Sequence, residues 1–331
     1  MKLNLEQIKS VTKGVEDIVY EKGLFHFYRF SQDEEKLIDN HNLFSTAGVQ
    51  MEFCTDALEL KLKVNTKNGS PTRSYFAVDV FVDGTFIGSI KNFEEGIDGD
   101  YANVQYELGD FEGAFGLGEN KKVVRIVFPH SVVASISEME LVGATYVSPV
   151  KNEKNVIFYG DSITQGYDTL HPSKSYANLL GESLHADLRN KALGGAQFFP
   201  ELVGVPNDYT PDYIVVAYGT NDWSGCEKEE VRKNATRFLD NVVVNYPTAT
   251  IYVVSPIWRK IHTEYKKFGS FLEMEKLIEE LCQNRKNISF ISGFDLVPPE
   301  EKYLAICVRI LMIVGLNFIK RIYSTKSSKA E

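Results

Sequence analysis

Val156-Ile157-Phe158-Tyr159-Gly160-Asp161-Ser162-Ile163-Thr164 is the stretch that decides the fold. A short apolar run of β-favouring residues enters Gly-Asp-Ser directly, which reads as a buried strand, Val156–Tyr159, ending in a tight turn. Working outward, the pattern predicts a helix over Tyr176–Leu184 and strands Leu188–Leu193 and Tyr213–Tyr218. It then predicts a helix over Glu229–Val244, strand Thr250–Ser255, helix Phe271–Cys282 and strand Ile288–Ile291. Strands alternating with helices imply an α/β domain whose parallel sheet is covered on both faces. Ligands of such sheets sit at the C-terminal ends of the strands. Three motifs fall there: Gly160-Asp161-Ser162, Asn190-Lys191-Ala192-Leu193-Gly194-Gly195, and Gly219-Thr220-Asn221-Asp222.

Upstream the pattern is different. Leu58–Val64 alternates with period two, as a half-buried strand does. Val78–Val82, Asp83-Gly84 and Phe86–Gly88 read as a hairpin with an Asp-Gly turn, and Val123–Phe128 and Ala134–Val142 add strands. An antiparallel β-sandwich over residues 1–147 is expected, then a polar linker 148–154, an α/β domain 155–305, and a tail 306–331 of altered character.

The chain has 331 residues, 44% of them hydrophobic, enough to bury two cores. A net charge of −9 argues against nucleic acid or an anionic membrane as the main partner. The N-terminus shows no apolar signal region, so a cytoplasmic location is the expectation. Ile306–Ile319 is apolar but short and holds Arg309, so it is not read as a membrane span. Cys54, Cys226, Cys282 and Cys307 are too widely spaced to suggest a zinc site or a disulfide scaffold.

Serine is a weak nucleophile until a base takes its proton. Ser162, after a strand and before a helix, would stand at the sheet's edge, where a helix N-terminus favours developing negative charge. Alone, the motif reads equally well as a turn with a capping serine. Asn221 adds a side-chain amide at a neighbouring strand end, and Gly194-Gly195 adds backbone N–H groups that can approach the same point. Attack on an ester carbonyl makes an oxyanion that needs such donors. Turn asparagines and loop glycines are common singly; three strand-end motifs in this order are not.

Together the motifs resemble the first three blocks of the SGNH (GDSL-type) hydrolases, over roughly 154–305. The resemblance implies a three-layer, flavodoxin-like parallel sheet behind a jelly-roll-like sandwich. It also implies Ser162 as nucleophile and an oxyanion hole of Ser162 N–H, Gly195 N–H and Asn221, with Gly194 the alternative if the register is one off. Gly160, Asp161, Gly219 and Asp222 would be supporting residues. No cofactor or metal is implied; Asp161 and Asp222 are read as local hydrogen-bond acceptors. The two-domain layout is similar to carbohydrate esterases that remove acetyl groups, so an acetylated sugar is the expected substrate. The alternatives are a lipid esterase or thioesterase, and a sugar-binding pseudoenzyme.

The family's last block carries Asp and His a few residues apart. Here the last histidine is His262, and nothing after Ala305 is Asp, His or Pro. Read one frame over, Ala305–Asn317 permits Asp-Leu-Cys-Pro-His-Pro-Asn-Asp-x-Gly-Phe-Lys, which is the missing block in the expected place. A single-base deletion near codon 305 is the expectation, and a divergent tail the alternative. His262, in a strand-end loop, is the one plausible substitute base, although a solvated surface histidine is favoured. Trp223 and Trp258 are candidates to line a sugar pocket, with core packing equally open for each. The acidic run Asp33-Glu34-Glu35 is expected to be a solvated surface.

Overall fold

The computed structural model describes residues 1–95, 101, 104–205, 208–283 and 285–296. They divide into two compact units. The first comprises Met1–Gln32, Asp39–Asn152 and Leu170–Ser173; the second comprises Asp33–Ile38, Glu153–Thr169 and the chain from Lys174 on.

The first unit is a sandwich of two antiparallel sheets. One orders Thr12–Lys13, Gln50–Thr55, Lys122–Val127, Ala77–Val82 and Thr85–Lys91, and the other Asp17–Glu21, Leu24–Tyr28, Val132–Val142, Glu59–Asn68 and Asp110–Gly116. Period-two patterning decides what faces inward: Leu60, Leu62 and Val64 are fully buried while Lys61 and Lys63 between them are exposed. Their partners in one shared core include Met51, Phe53, Val124, Ile126, Ile136 and Leu141. The Asp-Gly hairpin forms as expected, with φ of 48° at Asp83 and 77° at Gly84, the paired positive values that a two-residue hairpin turn requires. The expected linker is in part a strand: Val147–Pro149 pairs antiparallel with Phe53–Thr55. Within this unit Asp79, fully buried, accepts from His171 Nδ1 at 2.7 Å and from Ser173 Oγ at 2.6 Å. His171 Nε2 lies 3.3 Å from Glu95 Oε1.

The second unit has five parallel strands: β1 (Lys154–Gly160), β2 (Ala186–Asn190), β3 (Tyr213–Ala217), β4 (Thr250–Val254) and β5 (Ile288–Ile291). They are ordered β2-β1-β3-β4-β5, the flavodoxin-like arrangement. Its helices are α1 (Ser162–Gln165), α2 (Tyr176–Ser183), α3 (Pro200–Val203), α4 (Thr220–Gly225), α5 (Lys228–Asn245) and α6 (Phe271–Cys282). On one face Val156, Phe158 and Val215 pack with Tyr176, Ala177 and Leu180 of α2. On the other, Phe238 of α5 meets Tyr159 at 5.5 Å and Tyr218 at 5.4 Å between ring centres. Helices on both faces make the three layers. The expected strand Leu188–Leu193 sits earlier, at Ala186–Asn190, because the chain leaves the sheet to form the glycine loop.

One expectation is overturned. Glu34, within the acidic run, is not solvated: its carboxylate lies 2.7 Å from Lys191 Nζ, and the two side chains are 4% and 1% exposed. Isolated, either charge would be costly to bury; paired, they are tolerated. The tail 306–331 and its approach from Val297 lie outside the described residues.

Candidate active site

The parallel register brings the three motifs to one edge of the sheet. Gly160 at the end of β1 is paired with Ala217 at the end of β3, and Phe158 with Asn190 at the end of β2. Beyond β2 the chain stays close, since Leu193 N–H donates to Gly160 O at 3.1 Å. Ser162, Gly195 and Asn221 therefore leave neighbouring strand ends on the same side.

Ser162 is the first residue of α1 and half-buried. Asp161 caps the helix, accepting the Ile163 N–H at 3.0 Å. Gly160 has no room for a side chain: a Cβ would lie 2.7 Å from Thr164 Cβ and 2.8 Å from Ala217 O. Thr164 is held in turn by a 2.8 Å hydrogen bond between its hydroxyl and that of Tyr176.

Gly195 is exposed, with a φ of 79°. The N–H of Gly194 donates to Gln165 Oε1 at 2.6 Å, whereas the N–H of Gly195 is hydrogen-bonded to nothing among the described residues. Asn221, in the first turn of α4, donates one Nδ2 hydrogen to Ala196 O at 2.9 Å and keeps a second. Gln197 Nε2 returns a bond to Asn221 O at 3.2 Å, and Asp222 Oδ1 accepts the Phe198 N–H at 3.0 Å. The glycine loop is thus tied to both the Ser162 helix and the Asn221 helix. Gly219 precedes α4 with a φ of 122°, and a Cβ there would meet Pro256 Cγ at 2.8 Å, so a side chain would be both strained and crowded.

Two buried carboxyls flank this arrangement. Burial raises Asp161 to about 6, opposed by the Ile163 N–H and the charge of Arg259. Burial raises Asp222 further, to about 7, and the charge of Asp161 adds to the effect. Asp222 Oδ2 has no hydrogen-bond partner among the described residues.

The two tryptophans separate. Trp223 is 2% exposed, its ring centre is 4.8 Å from that of Phe271, and its Nε1 donates to Gly269 O at 2.9 Å, so it is a core residue. Trp258 is half-buried, and its ring centre lies 5.5 Å from that of His262. His262 is less solvated than a free surface residue: its ring also meets Phe294 at 6.2 Å, and Nδ1 donates to Arg259 O at 2.8 Å. No hydrogen bond joins it to Ser162 among the described residues. A small cavity of about 30 Å³ is lined by Asp161, Ile163, Tyr176, Tyr218, Ser255 and Leu296 among others. Ser162, Gly195 and Asn221 do not line it, so the strand-end residues rather than this cavity define the candidate acyl site.

Sequence reasoning missed Gln165, Asn190 and the Glu34–Lys191 pair. Asn190 Nδ2 donates to Thr164 O at 2.9 Å, a second tie between β2 and α1. Neither had a visible signal: the sequence pattern ran the strand on past Asn190 to Leu193, and the partner of Glu34 lies far away in sequence.

Residues 158–305 match the model of the GDSL-like lipase/acylhydrolase family. No curated protein sequence matches the chain. Solved structures do. The salicylyl-acyltransferase SsfX3 from a tetracycline biosynthetic pathway is 17% identical, with 94% of each chain covered and a TM-score of 0.75. A GDSL-like protein of Bacteroides ovatus ATCC 8483 is 17% identical over 98% of this chain and 97% of that one, also at 0.75. A family two carbohydrate esterase from Clostridium thermocellum is 14% identical over 86% and 93%, at 0.64. At such identities the structures speak for the fold, and the family match speaks for the class. Residues 158–305 thus carry a GDSL-like lipase/acylhydrolase domain, an ester-hydrolysing class, and the antiparallel sandwich precedes it in the sequence.

Proposed function

We propose that this protein is a serine esterase that removes acyl groups, acetyl first among them, from a carbohydrate through an acyl-Ser162 intermediate. The observation that supports the reading is that the strands leading to the Ser162, Gly194-Gly195 and Asn221 motifs are neighbours in one parallel sheet, with the Gly195 N–H free of any hydrogen bond among the described residues. Ser162 Oγ attacks the ester carbonyl and its proton passes to a base. The carbonyl oxygen gains negative charge, which the Gly195 and Asn221 donors balance in the transition state. The alcohol leaves, and water then releases the acyl group from Ser162. A sugar ester is favoured by the similarity of the whole two-domain fold to the family two carbohydrate esterase.

The base is what this chain lacks. No Asp or His follows Ala305, and among the described residues no hydrogen bond joins His262 to Ser162. A nucleophile without its base loses nearly the whole benefit of the catalytic group. We therefore read the chain as an impaired esterase whose Asp and His were lost to a frameshift. The same absence favours a second reading, a sugar-binding protein without turnover.

Acetate release from an acetylated oligosaccharide tests both. The chain should show slow release that Ser162→Ala abolishes. Inserting one base near codon 305 should raise kcat/KM by about 10³-fold or more. No gain on insertion refutes the frameshift; sugar binding with no Ser162-dependent release supports the second reading against the first.

A further inference from the structure

We propose that Gln165 is the positioning residue of the oxyanion loop, setting which of the two glycine amides faces the substrate. The inference rests on the esterase reading above and deepens it. Gln165 closes α1, three residues after Ser162, and is 1% exposed. Its Oε1 accepts the Gly194 N–H at 2.6 Å, so that amide is engaged inside the protein and unable to serve an oxyanion. Fixing one peptide plane constrains the next, because the backbone between them has only two soft dihedrals. The following amide, that of Gly195, makes no hydrogen bond among the described residues and belongs to an exposed residue whose φ is 79°.

The far side of the same turn is fixed independently. Ala196 N–H donates to Leu193 O at 3.0 Å, and Ala196 O accepts from Asn221 Nδ2 at 2.9 Å. Gly195 thus sits between two clamps, one on the helix that begins with Ser162 and one on the residue that supplies the other donor. The Asn190 bond to Thr164 O holds the root of the loop to that same helix. Any movement of α1 therefore carries the oxyanion donor with the nucleophile, which is the alignment acyl transfer needs.

A residue that only satisfies a buried amide would affect stability alone; a positioning residue affects kcat as well. Gln165→Met keeps the length of the side chain and removes the acceptor, while Gln165→Glu keeps an acceptor oxygen. With p-nitrophenyl acetate, Gln165→Met should lower kcat about 10-fold to 100-fold at little-changed KM, and Gln165→Glu should recover most of it. A second readout does not depend on turnover. In the NMR spectrum of the Ser162 adduct with a phosphonate, the Gly195 amide should move downfield and the Gly194 amide should not. That shift should shrink in Gln165→Met. Equal kcat in both variants, or a Gly194 amide that moves instead, overturns the proposal while leaving the esterase reading intact. Hydrolysis that survives Ser162→Ala, with no adduct formed, overturns the esterase reading itself and this one with it.

Discussion

Replacing Asp222 by Asn should change how stability depends on pH. The carboxyl is 2% exposed, and burial, with the added charge of Asp161, raises it from 3.8 to about 7. Below pH 4 both the folded and the unfolded chain hold the proton. Between about 4 and 7 the unfolded chain has released it while the folded chain keeps it, so stability falls as pH rises through that window. Above 7 the full cost is present. Three pH units at 1.36 kcal/mol each make about 4 kcal/mol, worth about 8–16 °C in the melting temperature of a domain of this size. Asn carries no proton to lose. Its amide leaves a buried donor in place of Oδ2 at a cost of about 1–3 kcal/mol, but that cost does not vary with pH. The assay is urea unfolding from pH 4 to 8 followed by tryptophan fluorescence. Trp223 and Trp258 both lie in the α/β unit, so the signal reports that unit. The stability of wild type minus that of Asp222→Asn should fall by about 4 kcal/mol across the range. A difference that stays flat refutes the argument that this carboxyl is forced neutral by burial.

Further expectations follow from single contacts. Glu34→Gln leaves Lys191 buried without its carboxylate and should cost about 3–5 kcal/mol in urea unfolding, with much of the loss recovered in the Glu34→Met/Lys191→Met double variant. Gly160→Ala forces a Cβ against Thr164 and Ala217 O and should cost about 1–3 kcal/mol, read the same way, together with a loss of Ser162-dependent hydrolysis. Burial works against the charged ring of His171, but Asp79 and Glu95 outweigh it and raise its pKa above 6.5. The stability this group adds is therefore present below 6.5 and is lost as pH rises through the raised value. An NMR titration of His171 should give a midpoint above 6.5, and His171→Gln should remove that pH dependence.

The architecture was legible because it rests on local patterns. The apolar runs at Val156–Tyr159 and Tyr213–Tyr218 could only be buried strands of a covered sheet, and the alternation through Leu60, Leu62 and Val64 could only be half-buried. Strand ends were less legible: β2 stops at Asn190, where the asparagine amide turns to Thr164 O, a bond that no periodicity signals. The three strand-end motifs stood out in sequence because backbone geometry restricts their residue types, as at Gly160, where any Cβ collides. What supports them was not. The Glu34–Lys191 pair joins residues 157 positions apart, and an acidic run looks solvated until its partner is seen. Gln165 is an ordinary helix residue by composition, and only the Gly194 amide shows what it does. Trp223, adjacent to the Asn221 motif, looked equally suited to a pocket or to the core, and its contact with Phe271 assigns it to the core.

The most direct test of the central claim is to quench the reaction of this chain with p-nitrophenyl acetate in acid and map acetylated peptides by mass spectrometry. The account predicts acetyl on the peptide bearing Ser162, formed slowly in this chain, and absent from Ser162→Ala. Acetate release with no label on that peptide, at a rate unchanged in Ser162→Ala, would contradict it.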